Sequence, residues 1–100
     1  MPKEQILYYR TLHDAEAQQI FERARKYYSP LDFAEVTERY LATSYGPRAL
    51  WELGNMALDQ GQHAKAHFYY QQIRDYGTVH DIAETDLALR LAACYKHLGR

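Results

Sequence analysis

Two short helical patterns on either side of a glycine, in the stretch 49–73, constrain the fold of this chain most strongly. Apolar residues recur at helical spacing upstream of Gly61, and the same period continues downstream of it. Neither pattern can bury its apolar stripe alone, and glycine tolerates the left-handed backbone at which helices end. The stretch therefore predicts a helical hairpin with a tight turn at 59–62. The residues predicted to face inward are Leu50, Leu53, Met56, Ala57, Ala66, Tyr69, Tyr70 and Ile73.

Gly54 lies inside the first of these helical patterns. A glycine within a helix costs about 1 kcal/mol relative to alanine, so propensity does not explain it. We predict a steric role, in which the missing side chain lets the second helix lie close. The small residues Ala57 and Ala66 fit the same close approach.

The hairpin resembles a tetratricopeptide repeat, whose pattern is W-x2-L-G-x2-Y, then A-x3-F, then P. Residues 50–57 read L-x2-L-G-x2-A and residues 66–70 read A-x3-Y. The sequence departs from the pattern at Leu50 and Ala57, Trp51 stands one place later than the family's tryptophan, and no proline ends the repeat. The resemblance implies an all-α fold of antiparallel helix hairpins stacked as a short right-handed superhelix.

The rest of the chain also reads as helical, with no strand candidate. Residues 1–10 are a short lead-in helix or an irregular arm, and Thr11-x-x-Asp14 is a candidate cap for the helix that follows. Ser29 is a candidate cap with Pro30 in the first turn of the next helix, whereas Gly46-Pro47 breaks the chain and Pro47 can open the helix after it. Asp81-x-x-Glu84 resembles a capping box. The predicted helices span about 12–28, 30–45, 47–60, 62–75 and 81–98.

We predict one domain over residues 1–100. It contains a degenerate repeat over 12–45, the best repeat over 47–75 and the first helix of a further repeat over 81–98. Residues 8–75 are also similar to the helical segment that precedes quinoprotein-type β-propeller repeats in large bacterial proteins. The quinone cofactor of those proteins would belong to the propeller, so we expect no cofactor in this chain.

The last predicted helix carries an apolar side for which the sequence offers no partner helix. Repeat arrays normally need a polar terminal cap. We therefore expect this side to meet another chain or a further segment, and self-association through the 81–98 helix follows from it. The residues on this side are Leu87, Leu91, Cys94, Tyr95 and Leu98.

Charge and composition argue against several classes of function. The net charge of −1 lacks the basic excess of a general nucleic-acid binder. The single cysteine, Cys94, excludes an internal disulfide framework. No apolar run approaches the roughly 20 residues of a membrane span, and the N-terminal residues do not resemble a secretory signal. A cytoplasmic location is the default expectation.

Two residue pairs have the spacing of reactive or metal-binding groups. His63 and His67 share a helix face, but two ligands are too few for a structural or catalytic zinc site. Cys94 and His97 could form a nucleophile and base, although nothing in the sequence orients the imidazole. Packing roles explain both pairs better, so we expect neither a metal site nor catalysis.

A mild basic cluster is interleaved with Glu22, Glu35 and Glu38. Pairing between residues three or four positions apart explains it better than a phosphate site does. The cluster consists of Arg23, Arg25, Lys26 and Arg39.

The positive hypothesis is a binding groove, because the first helix of each tetratricopeptide pair lines a concave surface. Trp51 would be its aromatic anchor, with hydrogen-bond donors beside it. The alternative is that Trp51 packs inside a thin core, and the sequence leaves both roles open. The groove residues implied by the resemblance are Arg48, Trp51, Asn55, Leu58, Asp59, Asp86, Lys96 and His97, with Leu89 and Ala93 on the same face.

The sequence thus predicts a non-enzymatic interaction or scaffold module that binds a protein or peptide on a concave helical face. The alternative function is an oligomerisation element or spacer segment of a larger bacterial protein, with no groove ligand.

Overall fold

The computed structural model describes residues 3–76 and 82–97, with the side chains of Lys3, Ile6, Tyr76 and His97 excepted. This part of the chain forms five α-helices and no strand, which confirms the all-α prediction. Its contacts divide the chain into two compact units, residues 1–49 and 50–100, and the boundary falls within α3. The right-handed superhelix stays a prediction. The helices are α1 (Lys3–Tyr27), α2 (Pro30–Arg39), α3 (Tyr45–Asp59), α4 (His63–Tyr76) and α5 (Glu84–His97).

In the first unit, α1 packs against α2 around an aromatic core. The ring of Phe21 meets that of Phe33 edge to face at 5.6 Å and lies tilted at 44° against the ring of Tyr45 at 5.3 Å. Edge-to-face pairs add to the stabilisation that burial of aromatic surface provides. The buried side chains of this core include Ala17, Phe21, Ala24, Phe33, Val36 and Tyr40.

The α1 helix begins at Lys3, so the candidate cap at Thr11 is wrong. Thr11 lies inside the helix, where its hydroxyl donates to the carbonyl of Leu7 one turn earlier (3.0 Å). Asp14 does not cap α1 either. Its carboxylate accepts hydrogen bonds from the amide and the hydroxyl of Ser44, the residue before α3, at 2.9 and 2.7 Å.

The break between α2 and α3 lies earlier than predicted, because α2 ends at Arg39 and α3 begins at Tyr45. Gly46 is part of the first turn of α3, where a Cβ would collide with the carbonyl of Leu41. Pro47 follows it in the same turn, where the missing amide proton has no intrahelical partner to lose. The tight approach of the chain at Gly46, and not a helix stop, explains the glycine.

One serine joins the ends of α1 and α2. The Ser29 amide donates to the carbonyl of Ala24 at 3.0 Å, and its hydroxyl accepts from the amide of Asp32 at 3.3 Å. The predicted cap with Pro30 in the first turn is confirmed. Tyr28, just before it, has a φ of 50° and occupies the left-handed position that usually belongs to glycine.

The second unit contains the predicted hairpin. Gly61 has a φ of 75°, and the amide of Gln62 donates to the carbonyl of Ala57 at 2.8 Å, which closes the end of α3. Gly54 lies against the ring of Tyr70, as its predicted steric role requires: a Cβ on Gly54 would be 2.5 Å from Tyr70 Cε1. Most of the predicted inward positions are buried, whereas Tyr69 is half-buried.

The expectation that α5 leaves its apolar side uncovered is wrong. Leu87, Leu91 and Cys94 are buried, and α5 packs against α4. The apolar side chains that α5 does expose are Leu89 and Tyr95. Leu98 lies outside the described residues. The sequence identified the apolar stripe correctly, but the stripe faces the chain's own fourth helix.

Candidate functional site

Trp51 is the centre of the candidate site, which lies wholly within the second unit. The Trp51 side chain on α3 is half-buried. Its ring centroid lies 5.4 Å from that of Tyr70 on α4, at an angle of 55°. The guanidinium carbon of Arg90 on α5 lies 5.5 Å from the indole centroid. Side chains from two other helices therefore contact this ring, and part of it remains open to solvent.

Tyr70 is the buried residue against which the Trp51 ring packs. The ring is fully buried, and its hydroxyl donates to Asn55 Oδ1 at 2.6 Å. Burial raises the pKa of Tyr70 to about 12, so the hydroxyl stays a proton donor at neutral pH. Gly54 supplies the space that the ring occupies. The hydrogen bond fixes Asn55 and takes up its carbonyl oxygen as an acceptor.

The other predicted groove residues of the second unit carry charges of both signs. Asp59, Asp86 and Lys96 are exposed, and Leu58 is half-buried. Leu89, on the same face of α5, is 69% exposed. Exposed charged groups, a partly open aromatic ring and an exposed leucine are the kinds of group that bind an extended polypeptide with both apolar and charged side chains.

Two of the predicted residues do not join this set. Arg48 belongs to the first unit, where its guanidinium carbon lies 5.5 Å from the ring centroid of Tyr45. The side chain of His97 lies outside the described residues. Sequence reasoning also missed two participants, Tyr70 and Arg90. The small residue Gly54 was a signal for a large neighbour, but no sequence pattern indicated that Arg90 would cover Trp51.

Cys94 has the wrong environment for a nucleophile. The thiol is fully buried, and burial raises its pKa above the usual value. The thiolate is the reactive form of cysteine, so this shift opposes the nucleophilic role considered from the sequence.

His67 is packed against an aromatic ring. Its ring centroid lies 4.8 Å from that of Tyr95, edge to face at 62°. Its Nε2 atom is buried and makes no conventional hydrogen bond to the described residues. Among those residues, no group of three or more histidine, cysteine, aspartate or glutamate side chains is arranged to hold a metal ion.

Two members of the basic cluster form ion pairs, and the Lys26 ammonium lies over the Tyr27 ring, 5.5 Å from its centroid. Arg23 forms two hydrogen bonds of 3.2 Å to the carboxylate of Asp32, and Arg39 pairs with Glu35 at 3.4 Å. Of these, only Arg39 has the predicted spacing of four residues along one helix, because Arg23 reaches across from α1 to α2. Arg25 and Lys26 are exposed, and none of the ion pairs among the described residues involves them.

No protein-family model, curated protein or solved structure matches this chain. Within the described residues, every helix is too short or too polar to cross a bilayer.

Proposed function

We propose that this chain is a non-enzymatic interaction module that binds a protein or peptide through the face around Trp51. The orientation of the Trp51 ring carries the proposal. Because Tyr70 and Arg90 hold a partly exposed indole in place, a partner would lose little free energy in ordering it. Tryptophan and arginine are the residues most enriched where interfaces concentrate their binding energy.

The composition of the surrounding face indicates the kind of partner. Leu58 and Leu89 offer apolar contact, and Asp59, Asp86 and Lys96 offer charges of both signs. An amphipathic peptide segment with charges of both signs matches such a face. The stacking of tetratricopeptide-like hairpins would continue this face, as the sequence resemblance implies.

The test uses Trp51 as its own reporter, because it is the single tryptophan of the chain. Peptides selected from a random display library against the whole chain are titrated while tryptophan emission is recorded. We expect saturable emission shifts. We also expect Trp51→Ala to weaken binding by about 30-fold or more, the loss typical of an interface anchor. Circular dichroism establishes that the variant remains helical.

Three further variants keep the test decisive, since Trp51 is half-buried and its loss could disturb the fold. Asp86→Ala and Lys96→Ala each remove an exposed side chain of the same face, and Leu31→Ala changes an exposed leucine of the first unit. Selected peptides should bind the first two variants more weakly and the third unchanged. Peptides that bind all variants as well as the parent chain would contradict the proposal.

The alternative function, an oligomerisation element, has one supporting observation. Leu89 and Tyr95 are exposed on α5 and could contact a second copy. The stripe on which self-association was first predicted is buried, so this contact would be small. Sedimentation velocity over a range of concentrations distinguishes the two functions, because a peptide-binding module without self-association sediments as a monomer throughout.

A further inference from the structure

The connection between α1 and α2 exposes an unusual concentration of large apolar side chains. We call residues 25–31 the α1–α2 tip. Tyr27 is 68% exposed, Tyr28 58% and Leu31 82%, the highest value among the large apolar residues that the structure describes. Side chains this open contribute little to the core of the first unit. Their presence at one end of a helix pair therefore calls for a reason outside the fold.

The backbone at Tyr28 strengthens this point. Its φ of 50° belongs to the left-handed region, which a tyrosine occupies at an energetic cost and a glycine does not. The ring is mostly exposed, so packing does not compensate for that cost. Residues held in unfavourable backbone regions concentrate at functional positions.

The tip is also held rigidly. The Ser29 amide closes α1 and its hydroxyl caps α2, and Pro30 fixes the backbone at the first residue of α2. A surface that docks on this tip would not have to order a flexible loop.

Charge at the tip is positive. Arg25 and Lys26 are exposed in the last turn of α1, and the nearby carboxylate of Asp32 is already paired with Arg23. Glu22 is the nearest carboxylate along α1, one turn before Lys26. The seven residues 25–31 contain two cations and no carboxylate.

We propose that the α1–α2 tip docks this protein peripherally on an anionic lipid bilayer. Leu31 would enter the boundary between head groups and acyl chains, and the tyrosine rings would lie at head-group depth, the level that aromatic side chains prefer. Arg25 and Lys26 would be attracted by anionic lipids. A lipid surface deforms around projecting side chains, whereas a protein partner would need a matching acidic pocket.

The experiment measures co-sedimentation of the whole chain with vesicles. One set consists of phosphatidylcholine alone, and the other contains about a third phosphatidylserine, a strongly anionic surface. We expect binding to the anionic set only, and loss of that binding at about 0.5 M salt, where charges are screened. Leu31→Ser should weaken binding about tenfold because it removes the inserted apolar side chain.

The remaining variants separate charge from apolar contact. Arg25→Gln with Lys26→Gln should weaken binding to anionic vesicles about 25-fold, since each cation contributes about fivefold. Leu89→Ser removes a leucine of similar exposure on α5 and should leave binding unchanged. Trp51→Ala should also bind vesicles normally, so that failure of this proposal is distinct from failure of the peptide-binding proposal.

Three results would overturn the proposal. The first is equal binding to the two vesicle sets. The second is an equal loss in the Leu31 and Leu89 variants. The third is no vesicle binding at all, which would leave an acidic protein pocket as the occupant to examine.

Discussion

The ring of Tyr70 occupies the space that a side chain at Gly54 would need, because a Cβ there would lie 2.5 Å from Tyr70 Cε1. This contact predicts the effect of Gly54→Ala. In an exposed helix the change would stabilise by about 1 kcal/mol. Here the forced displacement of a fully buried ring reverses the sign, and we expect destabilisation of roughly 1–3 kcal/mol in urea unfolding. A variant as stable as the parent chain would contradict this packing.

The Tyr70 hydroxyl predicts a dependence of stability on pH. Its pKa is about 12 in the folded chain and near 10 when unfolded. The stability that this hydroxyl contributes is therefore fully present below pH 10 and is lost as the pH rises towards 12. The slope contributed by this one group approaches 1.4 kcal/mol per pH unit. In Tyr70→Phe this contribution is absent, and alkaline unfolding should show a shallower slope between these pH values.

Tyr70→Phe also removes the hydrogen bond to Asn55 Oδ1. We expect it to cost about 1 kcal/mol at neutral pH, the usual net value of such a bond. Asn55→Ala on the parent chain and on Tyr70→Phe completes a double-mutant cycle. Additive losses in that cycle would show that the hydrogen bond contributes nothing to stability.

Tyr28→Gly should stabilise the chain by roughly 1 kcal/mol, because glycine adopts the left-handed backbone at this helix end without steric cost. Tyr27→Gly provides the matched control: Tyr27 is similarly exposed but is the last residue of α1, so glycine there should destabilise. Thermal unfolding of both variants tests the pair, and shifts of the same sign would be inconsistent with the cap.

Asp14→Ala should destabilise the first unit by about 2 kcal/mol. Asp14 accepts two hydrogen bonds from Ser44, and bonds to a charged group are the stronger class. Asp59→Ala, at an exposed position where no such bond is made among the described residues, is the control. Chemical denaturation of the two variants should give midpoints that differ clearly, with Asp59→Ala close to the parent chain.

The hairpin from α3 to α4 was predictable because its signals are local. Gly61 marks a backbone conformation that few other residues adopt, and the apolar period on each side fixes the buried face. The α1 helix lacked such a signal. Tyr8 and Leu12 are exposed apolar residues on a side of α1 away from its core, so its early turns show no clear contrast between faces.

Long-range contacts set the limit of prediction at the candidate site. Trp51 stood out as the single tryptophan, but Arg90 belongs to a helix that reaches it only after folding. Asp14 shows the same limit: its spacing from Thr11 resembles a local cap, yet its partner, Ser44, is 30 residues away. A sequence pattern identifies which residues can form hydrogen bonds, whereas the packing of helices decides which partners they meet.

Ser29 has a consequence for how the first unit opens. Because its amide serves the end of α1 and its hydroxyl the start of α2, fraying of one helix withdraws a hydrogen-bond partner from the other. Amide protons on both sides of this residue should therefore exchange with solvent in a single concerted event, and lengthening the junction by even one residue would let the two helices melt separately.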